Sequence, residues 1–204
     1  MTGEVKREEF FATPIWSRQI NDQALNEELE RAMYALRDED PLGVAKSNNM
    51  GWQSRDELQN RPEFKPILDV VLESSETIRE DMNIPVENRF RIATAWCGIN
   101  PTGAFNMTHT HPNTTISGVY YVRAPKNGGN IQFVDARSAH LMTKQGFADP
   151  DKPLTWEAVT MTPETGKLFM FPAWLPHNVK PNLARQDRLV ISFNLIPSNL
   201  WSDA

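Results

Sequence analysis

Only four histidines occur in the chain, His109, His111, His140 and His177. His109 and His111 stand at i and i+2 near the end of a predicted strand, where alternate side chains share a face. Both imidazoles can therefore aim at one point, with Thr110 turned away. Two protonated rings so placed repel each other. A divalent cation relieves that repulsion by binding both in the neutral form. A His-x-His pair alone also occurs on surface turns, so the surrounding pattern carries weight. Gly103 precedes His109 by six positions. Far downstream, Gly166-Lys-Leu-Phe-Met-Phe-Pro-Ala-Trp-Leu-Pro-His177 sets a turn glycine, an apolar strand, a proline-bearing bend and a third histidine in order. In a rolled antiparallel sheet such distant strand ends meet at one mouth. His109, His111 and His177 are thus the candidate metal ligands. His140, in Ser138-Ala-His-Leu-Met142, has no partner spacing and reads as a surface residue.

The elements that must position these residues fall into two rhythms. Residues 1–87 read as mainly helical. Asp22 can cap a helix on which Leu25, Leu29, Met33 and Leu36 share a face, and Asp40-Pro41 ends it. The polar stretch Lys46–Ser54 reads as a loop. Ile67, Val70, Val71, Leu72 and Ile78 predict a second helix beginning near Arg61-Pro62. Residues 88–197 change to short apolar runs at 90–99, 104–108, 116–122, 130–134, 156–161, 167–171, 177–179 and 189–195. Turn residues such as Asn100-Pro-Thr-Gly103 and Pro125-Lys-Asn-Gly-Gly129 divide them. Eight short strands so spaced predict a mainly β protein, a sandwich, jelly roll or barrel, with the helices packed on one outer face. No flexible linker separates the regions, so residues 1–204 are expected to form one domain.

Composition narrows the function classes. The 204 residues are 40% apolar and 23% charged, ordinary for a globular domain. The net charge of −5 argues against a dedicated nucleic-acid binder, which carries a basic surface for phosphates. No run of about 18 apolar residues can span a bilayer. The first residues are charged and lack the apolar core of a secretion signal, so a cytoplasmic location is expected. Cys97, the only cysteine, lies in an apolar strand pattern and reads as a small buried residue. Exposed edge strands would suit a homodimer.

Five motifs in order carry a resemblance: Asn106-x-x-His109-Thr-His111-Pro112, Ser117-Gly-Val-Tyr-Tyr121, Phe133-x-Asp135-x-Arg137, Phe171-Pro-x-Trp-x-x-His177 and Arg188-x-x-x-Ser192-Phe-Asn194. Over residues 90–196 the chain resembles the iron- and 2-oxoglutarate-dependent dioxygenases, and within them a bacterial and phage group. Ser47-Asn48 and Gly51-Trp-Gln-Ser54 match more weakly. The resemblance implies a double-stranded β-helix (jelly roll) with Fe(II) and 2-oxoglutarate as cosubstrate. It also implies hydroxylation of a C–H bond, with release of succinate and carbon dioxide, on a small-molecule or side-chain substrate.

The usual triad of that superfamily is His-x-Asp/Glu with a distal histidine, leaving open positions on iron. By resemblance His109 and His177 match its histidines. His111 stands where the carboxylate would be. Either the site is all-histidine or another residue donates the carboxylate, for which Asp135 is the alternative to His111. A salt bridge with Arg137 is the plainer reading of Asp135. Arg188, eleven positions after His177, matches the superfamily's basic residue for the distal carboxylate of 2-oxoglutarate. A guanidinium offers that group two parallel donors. The plainer reading is the exposed start of a strand. Ser192, four along, shares its face, and Tyr121 can bond cosubstrate or fill the barrel. Asn106, three before His109, points to the opposite face unless a bulge intervenes, and so suits a supporting role. Trp174 and Trp52 lie in polar contexts where either could shape the substrate mouth.

Two other functions fit the same residues. Cupins carry similar Gly-x5-His-x-His and Gly-x5-Pro-x-Gly-x-x-His patterns, so a three-histidine dioxygenase without 2-oxoglutarate is one alternative. The glutamate most cupins place after the pair is lacking here, and the Arg188 spacing favours 2-oxoglutarate. The third reading is a non-catalytic binding module.

Overall fold

The computed structural model describes residues 3–137, 149 and 156–199. His140 lies outside the described residues. The first strand, β1 (Trp16–Gln19), leads into α1 (Gln23–Glu39). The Asp22 side chain accepts from the Leu25 backbone N–H at 2.9 Å, satisfying one free donor of the first turn. Leu29 and Met33 are completely buried, as the helical spacing predicts. The short strands β2 (Asn48–Asn49) and β3 (Trp52–Gln53) follow, then two 3₁₀ turns and α2 (Lys65–Asp81). On α2, Ile67, Val71 and Ile78 are fully buried. No helix among the described residues is long and apolar enough to cross a membrane.

The remaining strands are β4 (Phe90–Asn100), β5 (Phe105–His109), β6 (Ile116–Arg123), β7 (Ile131–Val134), β8 (Ala158–Met161), β9 (Lys167–Pro172), β10 (His177–Val179) and β11 (Arg188–Pro197). They form a six-stranded sheet, β1-β9-β6-β11-β4-β3, and a five-stranded sheet, β2-β5-β10-β7-β8. Every pairing is antiparallel. The eight predicted runs all appear as strands, within one or two residues of their expected bounds. The predicted loop 46–54 differs, since it contains β2 and β3. Two-residue strands carry no alternation to read, and the polar β1 (Ser17, Arg18, Gln19) shows none either.

Period-two alternation divides the core. On β11, Leu189, Ile191, Phe193 and Leu195 join Ala95, Cys97 and Ile99 of β4 in a cluster with α1 and α2. The other face packs Val119, Tyr121 and Phe169 against Ile131 and Phe133 of the second sheet and Leu175 of the bend before β10. Cys97 is fully buried, and burial pushes its thiol pKa up to about 12, so it serves as packing rather than nucleophile. Gly118 in the Ser117-Gly-Val-Tyr-Tyr motif is required by space. A Cβ there would lie 2.3 Å from Cζ of Phe193. Gly118→Ala is therefore expected to destabilise the protein by roughly 1–3 kcal/mol. A urea midpoint equal to the wild type would contradict this packing.

Candidate metal centre and cosubstrate pocket

Strand β10 brings the distant histidine to the pair, since His177 stands opposite His109 in antiparallel register with β5. His111 lies two residues beyond β5, where its backbone N–H donates to the Ala173 carbonyl at 2.9 Å. One ligand atom from each of His109, His111 and His177 fits within 4.8 Å of the other two. The His111 and His177 Nε2 atoms are 3.3 Å apart. Nδ1 of His109 lies 2.7 Å from the Met107 carbonyl, and Nδ1 of His177 lies 2.9 Å from that of Leu175. A carbonyl only accepts, so both Nδ1 atoms carry the proton and both Nε2 atoms keep a lone pair. That is the tautomer a metal ligand needs.

The electrostatics agree. Burial, then the neighbouring His109, hold His177 down to about 3. Burial, His109 and Lys46 hold His111 down to about 4. Burial also lowers His109, against the opposing bond to Met107. All three rings are neutral at pH 7, so protons compete weakly with a cation for this cluster.

A second group of polar side chains faces the same cavity from β11 and β6. Arg188 is 1% exposed, which excludes the surface-strand reading. Its Nη1 donates to the carbonyls of Gly128 (2.5 Å) and Lys180 (3.2 Å), while Nη2 is buried with no hydrogen-bond partner among the described residues. The turn before β7 closes on it tightly. Gly129 has φ +94°, and a Cβ there would meet the Lys180 oxygen at 2.1 Å. The Tyr121 hydroxyl is likewise buried and has no partner among the described residues. Burial raises the phenol to about 12, against the opposing pull of Arg188. Burial lowers the guanidinium pKa. Arg188, Val190 and Ser192 all line the cavity, as their two-residue spacing requires.

Sequence reasoning missed some of these residues and misplaced others. Asn106 lines the cavity because the β10–β5 register slips: Val179 pairs with Asn106 while His177 pairs with His109. Between those two pairs Met107 and Thr108 of β5 oppose the single residue Asn178 of β10, a bulge that turns Asn106 inward. Its Nδ2 donates to Ser47 Oγ at 3.3 Å, and that oxygen is 3.4 Å from His109 Nε2. Trp52 lines the cavity, held by its Nε1–H to the Asp40 carbonyl at 2.8 Å. Trp174 does not line it and is 56% exposed, because the bend buries Ala173 and Leu175 and turns the residue between them outward. Asp135 is not in the histidine cluster. Its carboxylate takes Arg137 Nε at 2.9 Å and Nη2 at 2.6 Å, and its backbone extends the β7–β8 pairing through Glu157. Sequence reasoning gives no site role to Trp96, or to Gln53 beyond its place in the weak Gly51-Trp-Gln-Ser54 match. The Trp96 ring centroid is 5.7 Å from that of His111, a position that the alternation of β4 would have revealed.

Residues 94–194 match the model of the family described as "Putative 2OG-Fe(II) oxygenase". The chain belongs to that family. No curated protein sequence matches this oxygenase. Its fold is similar to that of a Pseudomonas putida prolyl-4-hydroxylase, at TM-score 0.63 and 15% identity over 90% of this chain and 92% of that one. HygX from Streptomyces hygroscopicus, solved with nickel and 2-oxoglutarate, matches at 0.64 and 11%, over 92% and 84% of the two chains. The α-ketoglutarate-dependent epimerase SnoN from nogalamycin biosynthesis matches at 0.67 and 12%, over 90% and 76%. These likenesses show the double-stranded β-helix fold. The family match favours 2-oxoglutarate chemistry over the cupin and non-catalytic readings.

The histidine environment sets a pH dependence for the metal-free protein. The three folded-state pKa values lie below the unfolded value, so unfolding takes up protons once the pH falls below about 6.5. Stability is fully present above that pH and declines below it. Urea midpoints are expected to fall between pH 6.5 and about 5, before carboxylates titrate. His177→Gln should flatten that slope, and an unchanged slope would contradict the burial described.

Proposed function

We propose that His109, His111 and His177 hold Fe(II) in this oxygenase, and that Arg188, Tyr121 and Ser192 receive the distal carboxylate of 2-oxoglutarate. The reaction is hydroxylation of a C–H bond in a small-molecule or side-chain substrate. The observation that carries this reading is the pairing of two unsatisfied buried groups, Arg188 Nη2 and Tyr121 Oη, in the cavity that also holds the three imidazoles. An uncompensated buried guanidinium is costly, and a carboxylate is the partner that removes the cost.

Fe(II) and 2-oxoglutarate, when bound, supply with dioxygen the oxidising power for C–H hydroxylation, yielding succinate and carbon dioxide. The chain's own part is placement and exclusion of water. The Met107 and Leu175 carbonyls fix two imidazoles with Nε2 free. The Gly128 and Lys180 carbonyls hold Arg188 in one orientation, leaving Nη2 for the ligand. Phe171, packed 4.6 Å from the His177 ring, and the neighbouring Ile131 and Val190 give the cavity apolar walls. With His111 in place of a carboxylate the site lacks one negative charge. Its hold on Fe(II) is expected to be weaker than that of a His-x-Asp site.

Anaerobic titration with Fe(II), with and without 2-oxoglutarate, tests the assignment. A weak visible charge-transfer band is expected only when both are present. His177→Ala should abolish tight metal binding, and one iron per chain in that variant would remove His177 from the ligand set. Arg188→Ala should weaken 2-oxoglutarate binding about tenfold or more while metal stoichiometry holds. Unchanged 2-oxoglutarate affinity would refute the role given to Arg188.

A further inference from the structure

Among the described residues, four buried side-chain polar atoms have no hydrogen-bond partner: Gln53 Nε2, Asp56 Oδ1, Tyr121 Oη and Arg188 Nη2. Native folds leave few such atoms, and three of these four belong to residues lining the histidine cavity. All three can donate a hydrogen bond. Each of the three has no acceptor oxygen within reach among the described residues. Tyr121 and Arg188 are accounted for by one carboxylate. Gln53, 4% exposed, is not.

The register separates Gln53 from Tyr121. Gln53 stands opposite Gly98, Gly98 opposite Val190, and Val190 opposite Tyr121. This single row across the sheet puts three strand spacings, roughly 14 Å, between the Gln53 and Tyr121 backbones. Gly98 keeps the floor between them clear, since a Cβ there would already touch Val190 Cγ2 at 3.3 Å. Gln53 arrives on a separate piece of chain. The segment 46–54 adds β2 to one sheet and β3 to the other, and so walls one side of the cavity. Ser47 and Asn48 of the same segment line it too.

Charge points the same way. None of the described lining residues is Asp or Glu. With neutral histidines, the two charges of Fe(II) and the one of Arg188 exceed the two negative charges of 2-oxoglutarate. A loaded cavity is left with one net positive charge in a confined space, where such a charge favours an anion.

We propose that Gln53 is a specificity-determining residue that donates a hydrogen bond to a carboxylate oxygen of the molecule to be oxidised, so that the substrate of this oxygenase is itself a carboxylate. The inference rests on the reading that Arg188 and Tyr121 hold 2-oxoglutarate, which leaves Gln53 for a second oxygen-bearing ligand.

The test uses the full chain loaded with 2-oxoglutarate and Ni(II) as a redox-inert ion. Calorimetric titration compares hexanoate and benzoate with hexanamide and benzamide. The carboxylates are expected to bind about tenfold or more tightly than their amides. Gln53→Leu should weaken the carboxylates by about tenfold, and Gln53→Glu, which keeps the shape but reverses the hydrogen bond and adds charge, should abolish their binding. In both variants the Fe(II)–2-oxoglutarate band should form at the wild-type cosubstrate concentration, which also reports an intact fold. Amides that bind as well as carboxylates, or no carboxylate binding at all, would overturn the substrate class. Wild-type carboxylate affinity in both variants would overturn the role of Gln53. A tenfold shift in the 2-oxoglutarate titration of either variant would assign Gln53 to the cosubstrate and end the proposal. Failure of the wild type to form the band would instead strike at the assignment of Arg188 and the histidines, and remove the basis of this one with it.

Discussion

Strand β10 is three residues long and is paired on both edges, with β5 on one side and β7 on the other. That double pairing fixes His177 against His109, although the two are far apart in the chain. Everything else in the site is measured from it. The slip in the same pairing turns Asn106 inward, and the bend that leads into β10 supplies both the Leu175 carbonyl and the Ala173 contact to His111. A ladder bonded on both sides cannot shift register without reversing every inward side chain, so the cluster is set by the sheet rather than by the histidines themselves.

The position of Arg188 is secured from outside the cavity. Arg123 donates through Nε to the Asp187 carbonyl and through Nη1 to Glu30, and Tyr34 bonds the Asp187 carboxylate. Helix α1 is thereby tied to the entry of β11. The pair Arg123–Glu30 is only partly buried, so its own contribution to stability is modest. Its consequence is directional: the residue after Asp187 enters the sheet with its side chain committed to the interior.

Much of this was legible in the sequence. The scarce histidines, the two-residue spacing of His109 and His111, and the glycines and prolines between apolar runs led to the sheets and to the histidine cluster. They did so because strand alternation and turn chemistry are local properties. The misses were of another kind. Asn106 depended on a bulge, which arises between strands and leaves no mark on one of them. Gln53 lay in a segment too short to show any period. Trp174 was misplaced because a bend, unlike a strand, gives no rule for which residue faces in. The burial of Arg188 depended on the carbonyls of Gly128, far from it in the chain, and of Lys180, across the turn that leads into β11.

The atoms that grip Arg188 are backbone carbonyl oxygens, not a carboxylate. A carboxylate partner would have oriented the guanidinium equally well, but would have cancelled its charge and competed with any incoming acid for the same donors. Carbonyl dipoles orient without neutralising. The guanidinium is therefore held in place with its charge still uncancelled by these contacts, so orientation and neutralisation are separate tasks in this fold.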